Sequence, residues 1–368
     1  MKHKLLTLIL AVAVIVSMVV VGCTKPAPTT PTTPTTPTTP TTPTPAPEEK
    51  VYKWKMQSIF APTEVANTIT LADFVNRIKE MSNGRIEIEV FPAGALIPSL
   101  DILDALGKGA IDMSASATSY WMGTYPEFAV SLLPMGPRNA DDLAAIWYGG
   151  LRDIYQETYA TKNVQLLTTM QSDEIPLLST KEIKSVEDFK GMKIRTHGAT
   201  AMLVEQLGAS TVFIPGEEVY MGLSLGTIDA ATWIGPSSLY TWKWYEVAKY
   251  IVYPALITAY QQQDILMNMD VWNELPDDLK AIVQASADIA YFEYRVTLLR
   301  ENDWALAKMQ EEAGLNICRL PDSDIAKMTQ AAEVVWLDIA SKSPRAKETV
   351  ALILDYCRQK GYTDFTLD

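Results

Sequence analysis

Two cationic side chains alternate with apolar ones in the stretch FKGMKIRTHG, residues 189–198. The alternation predicts a short strand over 192–196 with Lys193 and Arg195 on one face, directly before a His-Gly turn. A guanidinium fork pairs with a carboxylate through two parallel hydrogen bonds, so Arg195 has the chemistry to hold a small anion. An ordinary solvent-exposed strand arginine has the same local pattern. Both interpretations stay open on these residues alone.

Histidine and cysteine are too scarce for most metal and nucleophile sites. Beyond Cys23, and beyond His3 near the N-terminus, the chain contains only His197, Cys318 and Cys357 of these residue types. That disfavours a His-rich metal centre and most His-dependent triads, and no P-loop or H-E-x-x-H motif is present. Cys318 and Cys357 could form a disulfide outside the cytoplasm, or they could be two separate buried residues.

The N-terminal segment has the form of a secretion signal followed by a tether. A cationic start, an apolar run over 5–21 and the sequence VVGC at 20–23 predict a lipoprotein signal peptide at 1–22 and a lipidated Cys23. An uncleaved membrane anchor is the alternative. Residues 23–49, rich in Pro and Thr, predict a polyproline II tether that reaches up to roughly 80 Å from the membrane. We therefore expect an extracytoplasmic protein anchored through lipid.

The charge balance excludes one class of partner. The 368-residue chain has 31 Lys and Arg against 44 Asp and Glu, a formal net charge of −13. Nucleic-acid binders need a basic face, so no nucleic-acid partner is expected. Electrostatic docking on anionic lipid is disfavoured for the same reason. A small anionic ligand is still compatible with this charge, because one buried cation suffices locally.

The start of the folding segment alternates between strand and helix patterns. Residues 51–62 and 85–92 alternate polar and apolar side chains, which is typical of strands. Between them lies one helical stripe of apolar residues, made of Leu71, Phe74, Val75, Ile78 and Met81. Strand, helix and strand in this order predict a parallel α/β sheet.

A near-repeat suggests two similar halves. DALGKGAIDMSAS at 104–116 and MGLSLGTIDAATW at 221–233 both place a glycine, Gly109 or Gly226, between a helix end and a strand of small residues. Glycine stops a helix by adopting a left-handed conformation. Residues 50–368 are also too many for one usual core. A long helical pattern after Pro276 extends roughly 50 Å and could brace both halves, unless it breaks near residues 300–302.

Four segments together resemble the extracytoplasmic solute-binding subunits of TRAP transporters, the DctP family. They are DFKGMKIRTHG, LVEQLGASTVFIPGEEVYMGLSLGTIDAATWIGP, FPAGALIPSLDILDALGKGAIDM and LPDDLKAIVQASA, and the likeness covers nearly all of 52–345. ATSYWMGTYPEFA and ATWIGP look closest to the branch that binds 2-oxo and 2-hydroxy monocarboxylates with a cation. The resemblance implies TRAP small and large membrane subunits as partners.

The resemblance also implies the fold and the ligand clamp. The fold class is α/β, a two-lobed type II-like periplasmic-binding-protein fold with hinge strands and a long bracing helix. We assign 50–173 and 264–300 to lobe I, and 174–263 and 301–368 to lobe II. In this family the strand arginine, here Arg195, holds the substrate carboxylate, so the resemblance favours the anion clamp over the solvated residue.

The cation ligands of that branch are altered in this chain. Where the branch has a glutamine, a Glu-Trp pair and a later glutamate, this sequence has Glu174, Thr232-Trp233 and Thr258. Two threonines and one acid form a poor cage for a hard cation, so we expect no metal and no cofactor. Glu174 either pairs with Arg195 in the empty site or contacts a cationic group of a zwitterionic ligand.

Aromatic residues are the remaining candidates for the ligand-binding site. Phe60, Tyr120, Trp121 and Trp233, together with Tyr240, are either core residues or part of the cleft lining. Tyr220 is expected to be structural, and His197 is expected to be a turn residue near the site.

The function expected from these features is transport. A lipid-anchored receptor would capture a small organic acid or zwitterionic carboxylate and deliver it to a membrane permease. A ligand-sensing lipoprotein and an extracellular enzyme on the same scaffold are the alternatives. The chain lacks the usual residues of an enzyme, so we expect no catalysis.

Overall fold

Two β-sheets organise the part of the chain that the computed structural model describes, which comprises residues 50–172, 175–214, 216–253 and 261–367. The strands are β1 (Tyr52–Ser58), β2 (Ile86–Phe91), β3 (Met113–Ala117), β4 (Val164–Gln171), β5 (Leu177–Ser179), β6 (Lys193–Arg195), β7 (Ser210–Val212), β8 (Ala230–Thr232), β9 (Tyr250–Val252), β10 (Gln262–Asn268) and β11 (Asn316–Cys318). The first sheet has the order β2-β1-β3-β10-β4, and the second has the order β11-β9-β5-β8-β6-β7.

Helices surround both sheets. The α-helices of the described residues are Ala72–Met81, Ile102–Gly107, Ala140–Ile146, Arg152–Ala160, Gly198–Gln206, Gly216–Ser224, Pro236–Thr241, Met269–Asn273, Asp277–Ala313, Asp322–Ser341 and Pro344–Gln359. Wider π-type turns precede two of them, at Ala66–Leu71 and Trp147–Leu151, and short 3-10 turns occur at Ser99–Asp101, Thr118–Trp121, Pro126–Leu132, Val186–Phe189 and Trp244–Glu246.

The predicted strand–helix–strand unit opens the first sheet. β1 and β2 pair in parallel, from Tyr52 opposite Ile86 to Gln57 opposite Phe91, as the alternating patterns predicted. The intervening helix buries Phe74 and Ile78. Met81, the last residue of the apolar stripe, has a side chain that is 48% exposed. The helix ends at this residue, and a short turn then leads into β2.

The two copies of the repeated motif have the same local structure. Gly109 and Gly226 both adopt the predicted left-handed conformation, with φ of 73° and 69°. Each copy then places an aspartate carboxylate on the backbone of the neighbouring strand. Asp112 Oδ2 accepts from the Lys55 N–H at 2.8 Å, and Asp229 Oδ2 accepts from the Lys193 N–H at 2.9 Å. The repeat therefore fixes the start of one strand in each sheet in the same way.

Among the described strands the chain passes between the two sheets three times, and two of these connections lie side by side. One leaves the first sheet at the end of β4 and enters the second at β5, and the other returns from β9 to β10. At the crossing, the Ser172 N–H donates to the Gln261 carbonyl at 2.9 Å, and the Gln261 N–H donates to Ser172 Oγ at 3.0 Å. The predicted two-lobed fold with hinge strands is confirmed. The boundaries assigned to the two lobes stay a prediction.

The helix Asp277–Ala313 is continuous over 37 residues, about 55 Å. The alternative of a break near residues 300–302 is therefore wrong. Gln284 Nε2 donates to the carbonyl of Leu167 in β4 at 3.0 Å, so this helix contacts the first lobe. Further along, Asn302 Oδ1 accepts from the Ser237 N–H of the second lobe at 3.0 Å. The helix braces both lobes.

Three other predictions concern the termini and the cysteines. Cys318 and Cys357 are both buried and are not joined by a disulfide. The predicted signal peptide at 1–22, the lipidated Cys23 and the tether at 23–49 lie outside the described residues. Within the described part of the chain, the helices are too short or too polar to cross a membrane.

Candidate functional site

The candidate site of the second lobe lies at the carboxyl ends of three adjacent strands. β6 runs parallel to both β7 and β8, and its last residue, Arg195, lies opposite Val212 and Ala231. Because parallel strands present their carboxyl ends at one sheet edge, the residues that follow β7 and β8 must lie beside Arg195. Those residues are Phe213 and Trp233.

The first lobe contributes the equivalent edge of its own sheet. β1 and β3 run parallel, with Ser58 opposite Ala115. Ile59 directly follows β1, and Tyr120 lies three residues after β3. Ile59 and Tyr120 share both cavities of the site with Arg195. The site therefore lies between the lobes, where strand ends from both sheets meet.

Arg195 is buried, with 1% of its surface exposed. Its Nε donates to the Ile214 carbonyl at 3.0 Å, and its Nη1 donates to the Thr232 carbonyl at 2.9 Å. The guanidinium carbon lies 5.1 Å from the Phe213 ring centroid and 4.7 Å from that of Trp233. Backbone carbonyls and aromatic faces offset part of the cost of burying a cation. The interpretation of Arg195 as a solvent-exposed strand residue is wrong.

Two connected cavities meet at Arg195. The inner one has a volume of about 20 Å³ and is lined by Thr196, His197, Thr232 and apolar residues that include Leu132. That volume holds little more than one water-sized group. The outer cleft has a volume of about 600 Å³ and opens to solvent. One carboxylate oxygen would fit the inner space beside Arg195, whereas the rest of a ligand would lie in the outer cleft.

His197 borders the inner cavity beside Arg195. Its Nε2 lies 3.2 Å from Ser119 Oγ, and its ring meets those of Tyr120 and Phe213 edge-on at centroid distances of 5.7 Å and 5.3 Å. Burial, together with the nearby charge of Arg195, lowers the pKa of His197 from 6.5 to about 3. The imidazole is therefore neutral at physiological pH, adds no second positive charge and is not suited to proton transfer there.

A buried carboxylate, which the sequence analysis missed, joins the lobes behind the cleft. Glu64, shortly after β1, accepts from Trp242 Nε1 at 3.0 Å and from Ser238 Oγ at 3.2 Å. Both donors belong to the second lobe. Burial raises the pKa of Glu64 above its usual value, since the hydrogen bonds it accepts only partly offset the loss of water. Glu64 positions Trp242, which lines the outer cleft.

Four of the aromatic residues considered from sequence lie elsewhere. Trp121 donates its Nε1 to the Leu100 carbonyl at 3.2 Å, and Phe60 packs on Tyr294 with ring centroids 6.3 Å apart. Neither lines the two cavities. Tyr240 stacks on Tyr245 at 5.2 Å, and Tyr220 donates to Glu246 at 3.1 Å, in the structural role expected for Tyr220.

The remaining predicted residues divide between the inner cavity and the undescribed part of the chain. Trp233 and Thr232 line the inner cavity with Arg195, as does Tyr120. Glu174 and Thr258 lie outside the described residues, so their predicted contacts stay predictions. Two aromatic residues of the cleft, Phe213 and Trp242, were not predicted. Phe213 could have been found from its place directly after β7 at the carboxyl edge.

The described residues at Thr232 do not fit a hard cation. The Thr232 hydroxyl donates to Thr196 Oγ1 at 2.9 Å, and the Thr232 carbonyl accepts from the Arg195 guanidinium at 2.9 Å. A cation placed there would be repelled by that guanidinium. Within the described ranges, no group of three or more His, Cys, Asp or Glu residues is arranged to hold a metal.

Gly198→Ala is expected to weaken ligand binding about tenfold, or 1.4 kcal/mol. Gly198 has φ of +67°, and a Cβ there would lie 2.7 Å from Leu132 Cδ1. Since Leu132 lines the inner cavity, the displaced side chain would fill space needed by the carboxylate. Isothermal titration with a bound carboxylate measures the change.

The control for this variant is Gly226→Ala. Gly226 has nearly the same backbone strain, with φ of +69°, but a Cβ there meets nothing within 4 Å. Both variants should lose stability through the left-handed backbone, and only Gly198→Ala should lose affinity. Equal affinity in the two variants would contradict the role assigned to Leu132.

Comparisons with known proteins agree with this geometry. The model of the family "DctP: Bacterial extracellular solute-binding protein, family 7" matches residues 58–343. A monocarboxylate 2-oxoacid-binding periplasmic protein of Nostoc sp. is 31% identical over 253 residues, which are 68% of each chain.

Two solved structures are similar over most of their length. A TRAP periplasmic solute-binding protein from Colwellia psychrerythraea, with bound calcium and pyruvate, has a TM-score of 0.79 and 26% identity, and the match covers 85% of this chain and 96% of that one. A second from Pseudoalteromonas atlantica, with bound sodium and pyruvate, has a TM-score of 0.78 and 26% identity over 85% of this chain and 95% of that one.

Proposed function

The chain belongs to the DctP family of bacterial extracellular solute-binding proteins, and from this premise we propose that it captures a small organic carboxylate between its lobes for a TRAP-type transporter. Proteins of this family are extracytoplasmic binding proteins, and the expectation that the chain is not an enzyme is confirmed by its relatives. Similar proteins bind 2-oxo acids such as pyruvate.

The observation that carries the proposal is the position of Arg195. Its guanidinium is buried, held by two backbone carbonyls and placed where the inner and outer cavities join. A preorganised fork loses little entropy when it pairs with a carboxylate. Trp233, Thr232 and Tyr120, which line the same inner cavity, complete the proposed site. Glu174 would act either as the partner of Arg195 in the empty site or as a contact for a ligand cation.

The second part of the proposed function is delivery of the captured carboxylate to a membrane permease. Lipid on Cys23 would anchor the protein in the membrane, and the tether at 23–49 would let the lobes reach the small and large membrane subunits of the permease. The motif at 20–23 and the Pro/Thr composition of the tether support this arrangement. The proposal includes no cation, although two similar structures contain sodium or calcium, because Thr232 is engaged with Thr196 and Arg195.

A thermal-shift panel on the purified protein tests the proposal. It contains 2-oxo acids, hydroxy acids, dicarboxylates, amino acids and neutral sugars, each with calcium and with a chelator. A ligand at one hundred times its Kd should stabilise the protein by about 2.7 kcal/mol, equivalent to a few degrees in Tm. We expect a shift from one class of carboxylate, with or without calcium. A shift from neutral sugars alone would refute the proposed carboxylate capture, and a strict calcium requirement would refute the cation-free site.

A further inference from the structure

The walls of the outer cleft are mainly apolar. Its volume of about 600 Å³ lies in the range of small-molecule binding sites. Aromatic and aliphatic side chains from both lobes form its surface, among them Pro62, Pro98, Leu100, Tyr120, Phe213 and Trp242. A three-carbon acid held at Arg195 would leave this surface in contact with water. The walls therefore suit a ligand with an apolar body.

Positive charge in the site is restricted to one end. Among the described residues that line the two cavities, Arg195 and Asp101 have the only charged side chains, and His197 is neutral. Of the residues that the structure does not describe, those at 173–174, 215 and 254–260 include no Lys, Arg or His in the sequence. A second carboxylate on the ligand would lose water without gaining a countercharge, which is costly.

We propose that the ligand is a monocarboxylate with an apolar, preferably aromatic body of about six or more carbons beyond the carboxylate. This inference rests on the proposed capture of a carboxylate at Arg195 and adds the class of solute. One carboxylate oxygen enters the inner cavity of about 20 Å³ beside Arg195, and the body lies between Trp242, Phe213 and Leu100 in the outer cleft. Burying an apolar body the size of a leucine or phenylalanine side chain there improves Kd by about 10- to 150-fold. An aromatic ring gains further from edge or offset contacts with Trp242 and Phe213.

The test compares acids that share one head group and differ in the body. Isothermal titration of the full-length protein in detergent would use pyruvate, 4-methyl-2-oxopentanoate, 3-phenylpyruvate and 2-oxoglutarate. We expect 3-phenylpyruvate to bind about 100-fold more tightly than pyruvate, and 4-methyl-2-oxopentanoate to lie between them. 2-Oxoglutarate should bind at least tenfold more weakly than 4-methyl-2-oxopentanoate, because its second carboxylate meets the apolar wall.

A matched pair of variants places the body of the ligand. Leu100 and Leu225 are both exposed, at 54% and 69%, but only Leu100 lines the cleft. Leu100→Glu should raise the Kd for 3-phenylpyruvate at least tenfold and change the Kd for pyruvate less than twofold. Leu225→Glu should change neither Kd. Equal losses for both ligands in Leu100→Glu would overturn the proposed orientation.

The outcomes separate this inference from the proposed function. If pyruvate or 2-oxoglutarate binds as tightly as 3-phenylpyruvate, and Arg195→Met abolishes that binding, carboxylate capture stands and the apolar solute class is overturned. If none of the acids binds in a manner that depends on Arg195, both proposals are overturned.

Discussion

Arg195→Met is expected to raise the Kd for a bound carboxylate by about 100- to 1,000-fold. Removing one partner of a buried, hydrogen-bonded charge pair costs about 2–5 kcal/mol, and 1.4 kcal/mol corresponds to a factor of ten. Methionine retains much of the side-chain volume beside Phe213 and Trp233, so the cavity walls should change little. The ligand carboxylate would then be buried without its cation. Isothermal titration and ligand-induced shifts in Tm measure the loss.

Two further variants show whether the loss comes from the geometry of the fork. Arg195→Lys keeps the positive charge but presents a single ammonium group, so its affinity should fall between those of the wild type and Arg195→Met. Arg300→Met removes a side chain that is 73% exposed on the long helix, and it should bind as the wild type does. If a ligand stabilised the wild type and Arg195→Met equally, Arg195 would not contribute to binding that ligand.

Asp264→Asn is expected to make the protein relatively more stable than the wild type as the pH rises, by about 2 kcal/mol between pH 4.5 and pH 7.5. Asp264 lies in β10, where its Oδ2 accepts from the hydroxyls of Thr118 and Tyr159, each at 2.7 Å. Burial raises the pKa of Asp264 from 3.8 to about 6, because these neutral donors offset only part of the lost hydration. The full difference in pKa corresponds to about 3 kcal/mol, of which about 2 kcal/mol is lost between pH 4.5 and pH 7.5.

The sign follows from proton binding in the two states. The folded protein holds the Asp264 proton more tightly than the unfolded chain, which has the usual pKa of 3.8. The contribution of Asp264 to the free energy of unfolding is therefore fully present below pH 3.8 and is lost as the pH rises through about 6. Asparagine does not titrate and can still accept from both hydroxyls.

Urea unfolding of the wild type and Asp264→Asn at pH 4.5 and pH 7.5 measures this contribution. Other carboxylates titrate in both proteins, so the quantity of interest is the difference between the proteins at each pH. Asp153→Asn, at an exposed aspartate, serves as the control for the loss of one carboxylate. If the difference for Asp264→Asn were the same at both pH values, Asp264 would not be protonated in the folded state near pH 5.

The local pattern of the sequence determined the secondary structure and the conformation of single turns. Period-two alternation located β1 and β2, and the glycines at 109 and 226 adopt the left-handed conformation that their place after a helix required. These features depend on neighbours within a few residues, so one sequence suffices to predict them. Arg195 is an intermediate case: its strand was predicted locally, but its role came from the resemblance to a family.

Only the tertiary structure decided which side chains line the cleft. Phe60 and Trp121 lie shortly after strands of the first sheet and were considered as cleft residues together with Tyr120. Phe60 packs on Tyr294 instead, and the Trp121 indole donates to the Leu100 carbonyl. Phe213 lines the cleft because β7 lies beside β6, a pairing that local pattern does not contain. Strand order within a sheet depends on contacts between distant segments.

The surroundings of the buried carboxylate Glu64 and of the two cysteines also depend on segments that are distant in the sequence. Glu64 contacts Ser238 and Trp242 about 175 positions later in the chain, and this contact determines both its burial and its raised pKa. Cys318 and Cys357 are both buried and form no disulfide with each other, which the sequence had left open. The sequence by itself predicted the first strands and helices and the family, and it singled out Arg195 as the candidate anion-binding residue. The packing of the lobes decided which residues meet that arginine, because burial and charge environment arise from segments that come together only on folding.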